Sequence, residues 1–386
     1  MMRGETTQRS ALDPEHLTGV LRSQGAAALR AEPELTLVLD GMELRRPEAA
    51  AQAHLMRVKA LDGHWVNGYR SFNVLGLGEG KARGLLSHQL FSSNAPGFRS
   101  ENQIIADAIA ATEGALHDFA GPKTWAVDCG FDNDDVWWQI WGYPGSHVVC
   151  RLYHFERIVL WQTPAGTWEE RYLDATFKHL RPLAVIETEL EVRKHGQPRP
   201  KRQTITAQLS AVPLRVYAPE DHRRTQPVWL VRVNLNDCVN DPWYLLTDWP
   251  VADAASVQRV FRFYRRRWAV EDLFKFIKTC LGIEDVQLLD YDAIRTLVAF
   301  AWVAAGFLLH LGLTLDHAEV RLLAYLGGWE ERPNRPPGKT ILTRGLRRLL
   351  DLLVTQAVLQ AHVREHGDLP PFVQRLLAAF PDRSHP

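Results

Sequence analysis

The segment FYRRRWAVEDLFKFIKTCL, residues 263–281, carries side chains that could act on a phosphodiester. No glycine or proline interrupts it, so we predict one continuous helix. Beside an apolar stripe, four polar side chains fall along one edge of that helix: Tyr264, Arg267, Glu271 and Lys278. A carboxylate in this position can ligate a metal ion, while the cations and the phenol can bind phosphate oxygens.

Two aspartates earlier in the chain could complete a metal site with Glu271. Asp40 ends the apolar run 35–39, and Asp128 ends the predicted strand 125–127. Each has a structural alternative, because Asp-Gly after an apolar run also signals a turn and an aspartate can simply end a strand. Three nearby aspartates could take the place of Asp128 as a metal ligand, but together with Asn133 they are expected to cap the helix 136–141: Asp132, Asp134 and Asp135.

The elements that would position these acids alternate between strand and helix patterns. We predict helices over 14–31, 100–119 and 136–141, and strands over 35–39, 60–77 with a turn at Asp62-Gly63, 84–91, 125–127 and 147–153. Three antiparallel strands followed by alternating elements indicate an α/β fold with a mixed sheet and helices on both faces. This order is that of an RNase H-like fold.

A β-rich segment separates the second aspartate from the glutamate. Four runs alternate apolar and polar residues with strand period: 183–192, 203–217, 228–235 and 243–247. We therefore predict an antiparallel insertion before the last catalytic helix. Its loop Arg193–Arg202 is basic and should form a hairpin tip able to touch DNA.

Composition sets limits on the function. Lys plus Arg and Asp plus Glu both number 45, so net charge provides no general attraction to nucleic acid. Local basic clusters soften that objection; they lie at 193–202, at 262–267 and at 344–348. The cysteines Cys129, Cys150, Cys238 and Cys280 are far apart, and no signal peptide is recognised, so we expect a reduced cytosol.

The longest apolar run, 297–313, contains His310 and is slightly shorter than the roughly 20 residues that span a bilayer. We expect it to be a core helix and expect no membrane association. Beyond it we predict a linker over 332–339 and a helix over 342–362, which packs on the core or contacts DNA or another subunit.

The motifs resemble a known family. The spacing Tyr-x2-Arg-x3-Glu-x6-Lys, the Arg267-Trp268 pair, VLDG at 38–41, VDCGF at 127–131 and KTCLGIEDVQ at 278–287 are similar to the DDE transposases of bacterial insertion sequences. The resemblance is to the branch that cuts and pastes through a DNA hairpin. It implies Mg²⁺-dependent cleavage of DNA at the element ends and strand transfer into target DNA.

The resemblance also implies roles for individual residues. Asp40, Asp128 and Glu271 would hold two Mg²⁺ ions, or Mn²⁺ in their place. DNA phosphates would be bound by Tyr264, Arg267, Lys278 and Arg151, with Arg157 a weaker candidate. Trp243 would stack on a base flipped out of the cut end, and the alternative for Trp243 is a core position.

The expected organisation follows from the same resemblance. We predict a short helical segment over 1–34, the RNase H-like core over 35–153 and 250–320, the β-strand insertion over 154–249, and a C-terminal helical region over 321–386. The expected partners are double-stranded DNA, as terminal inverted repeats and as target, and a second copy in a homodimeric synaptic complex. The expected location is the bacterial cytoplasm, at the nucleoid.

Two alternatives remain open. Relatives usually carry a longer DNA-binding segment than the 39 residues before Asp40, which raises the alternative of a truncated, inactive or domesticated DNA-binding relative. A phosphohydrolase with Asp40 as nucleophile is a further alternative. That chemistry typically needs an aspartate two residues on, where Met42 stands.

Overall fold

The computed structural model describes residues 13–196, 198–236, 238, 241–330 and 337–379. The chain divides into two compact units, Met1–Leu313 and Thr314–Pro386, which are described separately below. The first unit contains all the residues proposed above for chemistry.

The first unit combines twelve described strands with six α-helices. The strands are β1 Leu35–Arg45, β2 Met56–Lys59, β3 Trp65–Leu77, β4 Arg83–Phe91, β5 Lys123–Val127, β6 Ser146–Arg151, β7 Ile158–Gln162, β8 Trp168–Tyr172, β9 Arg181–Val192, β10 Lys201–Tyr217, β11 Thr225–Leu235 and β12 Trp243–Thr247. The helices are α1 Pro14–Leu29, α2 Glu101–Ala115, α3 Asp134–Trp141, α4 Ala254–Arg266, α5 Trp268–Cys280 and α6 Tyr291–Thr314.

The strands form a single mixed sheet. Its order is β2-β3-β1-β5-β6-β12-β11-β10-β7-β8, with β4 paired to β3 and β9 paired to β10. The central pairs β1–β5 and β5–β6 are parallel, and the other pairs are antiparallel. The predicted α/β class with a mixed sheet flanked by helices is therefore confirmed.

The strands predicted as an insertion continue the core sheet. β12 pairs antiparallel with β6, with Leu246 opposite Cys150, and β11 and β10 follow outward. The predicted runs correspond to β9 through β12, and the segment predicted as a basic loop connects the paired strands β9 and β10, with Lys201 and Arg202 already in β10. Strands β7 and β8 were not predicted; they form a short hairpin whose turn contains Gly166 at φ 84°.

The course of strand β1 excludes the alternative in which Asp40-Gly41 forms a turn. It does not end in a turn at Asp40-Gly41 but continues to Arg45, paired with β3 over its length. The turn signal is overridden because β3 pairs with β1 from Thr36 to Arg45 and the following residues Met42 and Leu44 are buried. Asp40 therefore lies within a strand.

Three apolar clusters form the core. One cluster joins α2 and α3 to one sheet face, and a second joins α5 and α6 to the other face through residues such as Val38 and Met42. The third lies between α4 and the β9–β12 part of the sheet. The capped start of α2 is as predicted, with Ser100 Oγ accepting from Gln103 N at 3.1 Å.

Helix α6 only partly fits the predicted core helix. One face is buried through Ile294, Val298 and Trp302, whereas Phe300 and Phe307 are 53% and 52% exposed. In the part of the chain that the structure describes, α6 is the one helix long and apolar enough to cross a membrane, by length and composition alone.

The second unit contains helices α7 His317–Leu326, α8 Lys339–His366 and α9 Pro371–Ala379. Helix α8 covers the predicted helix 342–362, and α7 packs closely on it at Gly345, where a Cβ would lie 1.8 Å from the Leu323 carbonyl oxygen. The first five residues of the predicted linker, 332–336, lie outside the described residues.

Candidate active site

Two parallel strands position the aspartates at the same level of the sheet. Leu39 on β1 is opposite Val127 on β5, so Asp40 and Asp128 follow a matched pair. Asp128 lies directly after β5 and caps a 3₁₀ turn, with Oδ1 accepting from Cys129 N at 2.8 Å. Both carboxylates lie beside the junction between α4 and α5.

The helix predicted over 263–281 is interrupted, and its continuity is a wrong prediction. Helix α4 ends at Arg266, α5 begins at Trp268, and Arg267 joins them. At the junction the hydrogen bonds shorten to three-residue spacing, from Arg267 N to Tyr264 O and from Val270 N to Arg267 O, both at 3.1 Å. Ion pairs with residues distant in the sequence hold Arg267 at this junction, and the hydrophobic periodicity of the segment carries no information about such pairs.

The Arg267 guanidinium bridges the three predicted acids. Nη1 lies 2.7 Å from Asp40 Oδ2, and Nη2 lies 2.7 Å from Glu271 Oε1 and 3.7 Å from Asp128 Oδ2. Arg267 is 5% exposed, whereas the Glu271 side chain is 58% exposed. The structure thus brings Asp40, Asp128 and Glu271 together around one cation.

Burial and charge act in opposite directions at this site. Burial raises the pKa of Asp40 to about 6; Arg267 opposes that rise and Asp128 adds to it. For Arg267, burial would lower the pKa, but the surrounding carboxylates outweigh burial and raise it. Burial thus outweighs the ion pair at Asp40, whereas the carboxylates outweigh burial at Arg267, so the loss of water is compensated at the guanidinium and not at the Asp40 carboxylate.

Tyr264 and Arg151 lie beside Asp128. The Tyr264 hydroxyl donates to Asp128 Oδ1 at 3.2 Å, and Arg151 interacts with the same hydroxyl. Burial raises the pKa of Tyr264, and the Asp128 charge raises it further. The phenol therefore stays protonated and can donate a hydrogen bond.

Lys278 is not brought to the carboxylates. Its Nζ lies 3.0 Å from Glu284 Oε1 and donates to the Glu43 carbonyl oxygen. Eleven residues of helical rise separate it from Arg267, about 16 Å along the axis. In this structure Lys278 ties α5 to the end of β1.

The Trp243 ring is 5% exposed. It contacts three aromatic rings, with centroids 6.3 Å from Phe261, 5.6 Å from Tyr264 and 5.9 Å from Trp268. These contacts are those of the core alternative. The partly exposed ring at this point is that of Trp268.

The predicted cap of α3 is confirmed at Asn133, whose side chain accepts from Asp135 N, and Asp134 and Asp135 lie in the first turn; the expectation that Asp132 also caps the helix is wrong. Asp132 is buried and accepts from Tyr153 N at 2.6 Å and from Arg157 Nη1 at 2.9 Å. Arg157 also lies over the Trp137 ring at 4.3 Å. The arginine holds the β6–β7 connection to α3 rather than pointing into solvent.

Several arginines of the predicted basic clusters are bound within the protein. Arg265 donates to Thr188 Oγ1 at 2.7 Å, and Arg266 donates to Thr36 Oγ1 at 2.8 Å. Arg202 pairs with Glu189, and Arg348 donates to the Leu326 carbonyl. Arg262 is exposed. The clusters are therefore partly structural.

A buried polar row beside Asp40 was not predicted. Asp40 is opposite Asn73 on β3, and Asn73 is opposite His88 on β4. Asn73 Oδ1 lies 2.7 Å from His88 Nδ1, and the His88 ring stacks on Trp302 with centroids 4.8 Å apart. The sequence did contain a signal for this row, because polar residues occupy alternating positions of an otherwise apolar strand.

The donor set fits a hard divalent cation, since carboxylate oxygens are the ligands Mg²⁺ prefers. As the side chains stand, the described residues include no group of three or more His, Cys, Asp or Glu side chains close enough to hold a metal ion. Arg267 lies between the three carboxylates and donates to two of them. Metal binding at this site would therefore require the guanidinium to move.

Comparison with protein-family models and with curated proteins finds no match for this chain. The site is defined by its own geometry: three carboxylates from β1, the end of β5 and α5, gathered around Arg267 beside Tyr264 and Arg151.

Proposed function

We propose that the protein is a transposase of the DDE type, which cleaves DNA at the ends of an insertion sequence and transfers the cut strand into target DNA. The observation that carries this proposal is the convergence of Asp40, Asp128 and Glu271, which come from three separate parts of the chain. Such a set suits metal-assisted phosphodiester chemistry.

The fold supports the same proposal. A sheet in which β1 is antiparallel to β3 and parallel to β5 is compatible with an RNase H-like core. Asp40 in β1 and Asp128 after β5 lie where two adjacent parallel strands present side chains at one level. We propose this finer fold assignment together with the function.

In the proposed mechanism, Asp40, Asp128 and Glu271 would hold two Mg²⁺ ions, or Mn²⁺. When bound, the ions would supply Lewis acidity at the attacking and leaving oxygens of the phosphodiester. Tyr264 donates a hydrogen bond from its hydroxyl, and Arg267 and Arg151 bind phosphate oxygens. The proposed reaction nicks the element end, forms and opens a DNA hairpin, and joins the freed 3′ hydroxyl to target DNA.

The proposed partners are double-stranded DNA and a second copy of the chain, because two element ends must be held at once. The proposed location is the bacterial cytoplasm. The proposal leaves Lys278 and Trp243 without direct contact with the carboxylates in the free protein.

Glu271→Gln tests the metal role directly, because it keeps the side-chain shape and removes the charge. We expect loss of Mg²⁺-dependent nicking by at least about 100-fold, with unchanged circular dichroism. The substrate is a duplex carrying the DNA that flanks this gene, and nicking is followed on denaturing gels.

Asp272→Asn is the matched control, since the next residue on α5 is also an exposed acid and the charge change is equal. Its nicking rate should stay near that of the wild type. Cleavage by Glu271→Gln at the wild-type rate would contradict the proposed metal site. Retained DNA binding by the wild type without any cleavage would favour the inactive or domesticated relative.

A further inference from the structure

Arg267 is the cation that the three carboxylates bind in the free protein. It is 5% exposed and donates at 2.7 Å to both Asp40 and Glu271. Its neighbours in sequence bind elsewhere, Arg265 to Thr188 and Arg266 to Thr36. Of these three consecutive arginines, Arg267 is therefore the one that binds the carboxylates.

The arrangement leaves part of the guanidinium unsatisfied. The Nε–H of Arg267 is buried, and no described residue accepts a hydrogen bond from it. Two positive charges, those of Arg267 and of Arg151 beside Asp128, face three carboxylates, so the cluster keeps an excess of negative charge. A buried donor without an acceptor and an uncompensated charge both disfavour this state relative to one with more cations and more oxygen acceptors.

A divalent metal and this guanidinium would compete for the same carboxylates. Mg²⁺ binds carboxylate oxygens at about 2.0–2.1 Å with near-octahedral demands. Asp40 Oδ2 and Glu271 Oε1 already accept from Arg267 at 2.7 Å, and the two cations repel one another. Metal binding therefore competes with the Arg267 ion pairs.

We propose that Arg267 occupies the cation position of this site in the free protein and excludes divalent metal until a phosphodiester draws the guanidinium away. This inference rests on the proposed function and adds a property to it. The same guanidinium serves carboxylates in the free protein and phosphate oxygens in the complex. Metal and DNA then bind with positive coupling, because each stabilises the state in which Arg267 has left Asp40.

Calorimetric titration of Mn²⁺ into the DNA-free protein measures the exclusion without any catalytic readout. Arg267→Gln keeps hydrogen-bond donors and removes the charge. We expect its Mn²⁺ affinity to exceed that of the wild type by about tenfold or more. Arg266→Gln is the matched control, since it removes an adjacent positive charge that binds Thr36 instead, and its affinity should match the wild type.

The coupling is measured by repeating the titration with saturating short duplex of arbitrary sequence, using Ca²⁺ so that no DNA is cut. Duplex should raise the cation affinity of the wild type and of Arg266→Gln, and it should raise that of Arg267→Gln much less. Loss of the coupling in Arg267→Gln, together with its higher affinity without DNA, identifies Arg267 as the residue exchanged.

Equal Mn²⁺ affinity in the wild type and Arg267→Gln would overturn the exclusion while leaving the metal site in place. Absence of Mn²⁺ binding in every variant, with and without duplex, would instead contradict the metal site and the proposed function with it.

If Arg267→Gln does not fold, Arg267→Lys replaces it. A lysine cannot bridge two carboxylates as a guanidinium does, so a smaller rise in affinity is expected, and no rise would overturn the inference.

Discussion

At the scale of single residues, a row of buried polar side chains lies next to Asp40. Asn73 is fully buried, and its Nδ2 donates to Ser71 Oγ at 3.0 Å while its Oδ1 meets His88 Nδ1. His88 Nε2 is buried without a hydrogen-bond partner. Burial lowers the pKa of His88 to about 3, with a smaller contribution from Arg295, so the ring is neutral in the folded protein.

This lowered pKa predicts a pH-dependent stability. Because unfolded histidine has a pKa near 6.5, the unfolded chain binds the proton first. The contribution of neutral His88 is fully present above that value and is lost as pH falls toward about 3. Compared with His88→Phe, the wild type should lose up to about 1.4 kcal/mol of unfolding free energy per pH unit in that window.

Urea unfolding of both proteins across the pH range measures this difference. The exposed His117, replaced by Phe, serves as the control and should give no comparable slope. Parallel stability curves for the wild type and His88→Phe would show that His88 is protonated in the folded state as readily as in the unfolded chain.

At the scale of elements, α1 lies so close to β4 that their backbones touch at two glycines. A Cβ on Gly25 would lie 2.1 Å from the Leu85 carbonyl oxygen, and one on Gly84 would lie 2.3 Å from the Gly25 carbonyl oxygen. Contacts this short are not available to any side-chain-bearing residue. The docking of α1 on the edge strand therefore depends on glycine at both positions.

Gly25→Ala should destabilise the first unit by about 1–3 kcal/mol, although alanine is the better helix former, because the clash is with backbone. Gly19→Ala in the same helix has nothing within 4 Å of the added Cβ. It should instead stabilise by up to about 1 kcal/mol. Chemical denaturation of both variants checks the pair, and equal effects of one sign would contradict the close approach.

At the scale of the whole molecule, the three core clusters are drawn from residues between Leu21 and Leu309. The compact unit they form ends at Leu313, one residue before the end of α6. The second unit has its own close contact between α7 and α8 at Gly345. The core of the first unit is thus complete without residues of the second.

We predict that the chain ending at Thr314 unfolds in one cooperative transition and keeps the near-ultraviolet circular dichroism of the first unit. A chain ending at Asp290 is the control, because it also removes Ile294, Val298 and Trp302 from the core. That shorter chain should lose cooperative unfolding. Loss of cooperativity in the chain ending at Thr314 would show that the second unit is required for folding of the first.

Much of the local structure could be predicted from the sequence alone. Hydrophobic periodicity and capping residues reflect short-range backbone preferences and burial. The bounds predicted from them are therefore close to the observed ones for helices α1 and α2 and for strands β4, β5 and β9 through β12. The same reasoning placed Asp40 on the first strand and Asp128 at the end of the fourth predicted strand, and it singled out Glu271. Short, weakly apolar strands such as β7 and β8 carried too little pattern to be recognised.

The contacts between residues far apart in the chain depended instead on tertiary packing. Arg267 meets Asp40 across 227 residues, and this pairing accompanies a break between α4 and α5 that the uninterrupted pattern over 263–281 did not indicate. Packing also buried Trp243, turned Lys278 toward Glu284 and continued the core sheet through β12. A single sequence specifies which residues favour helix, strand or burial, whereas the partner of each charge depends on how all the elements pack.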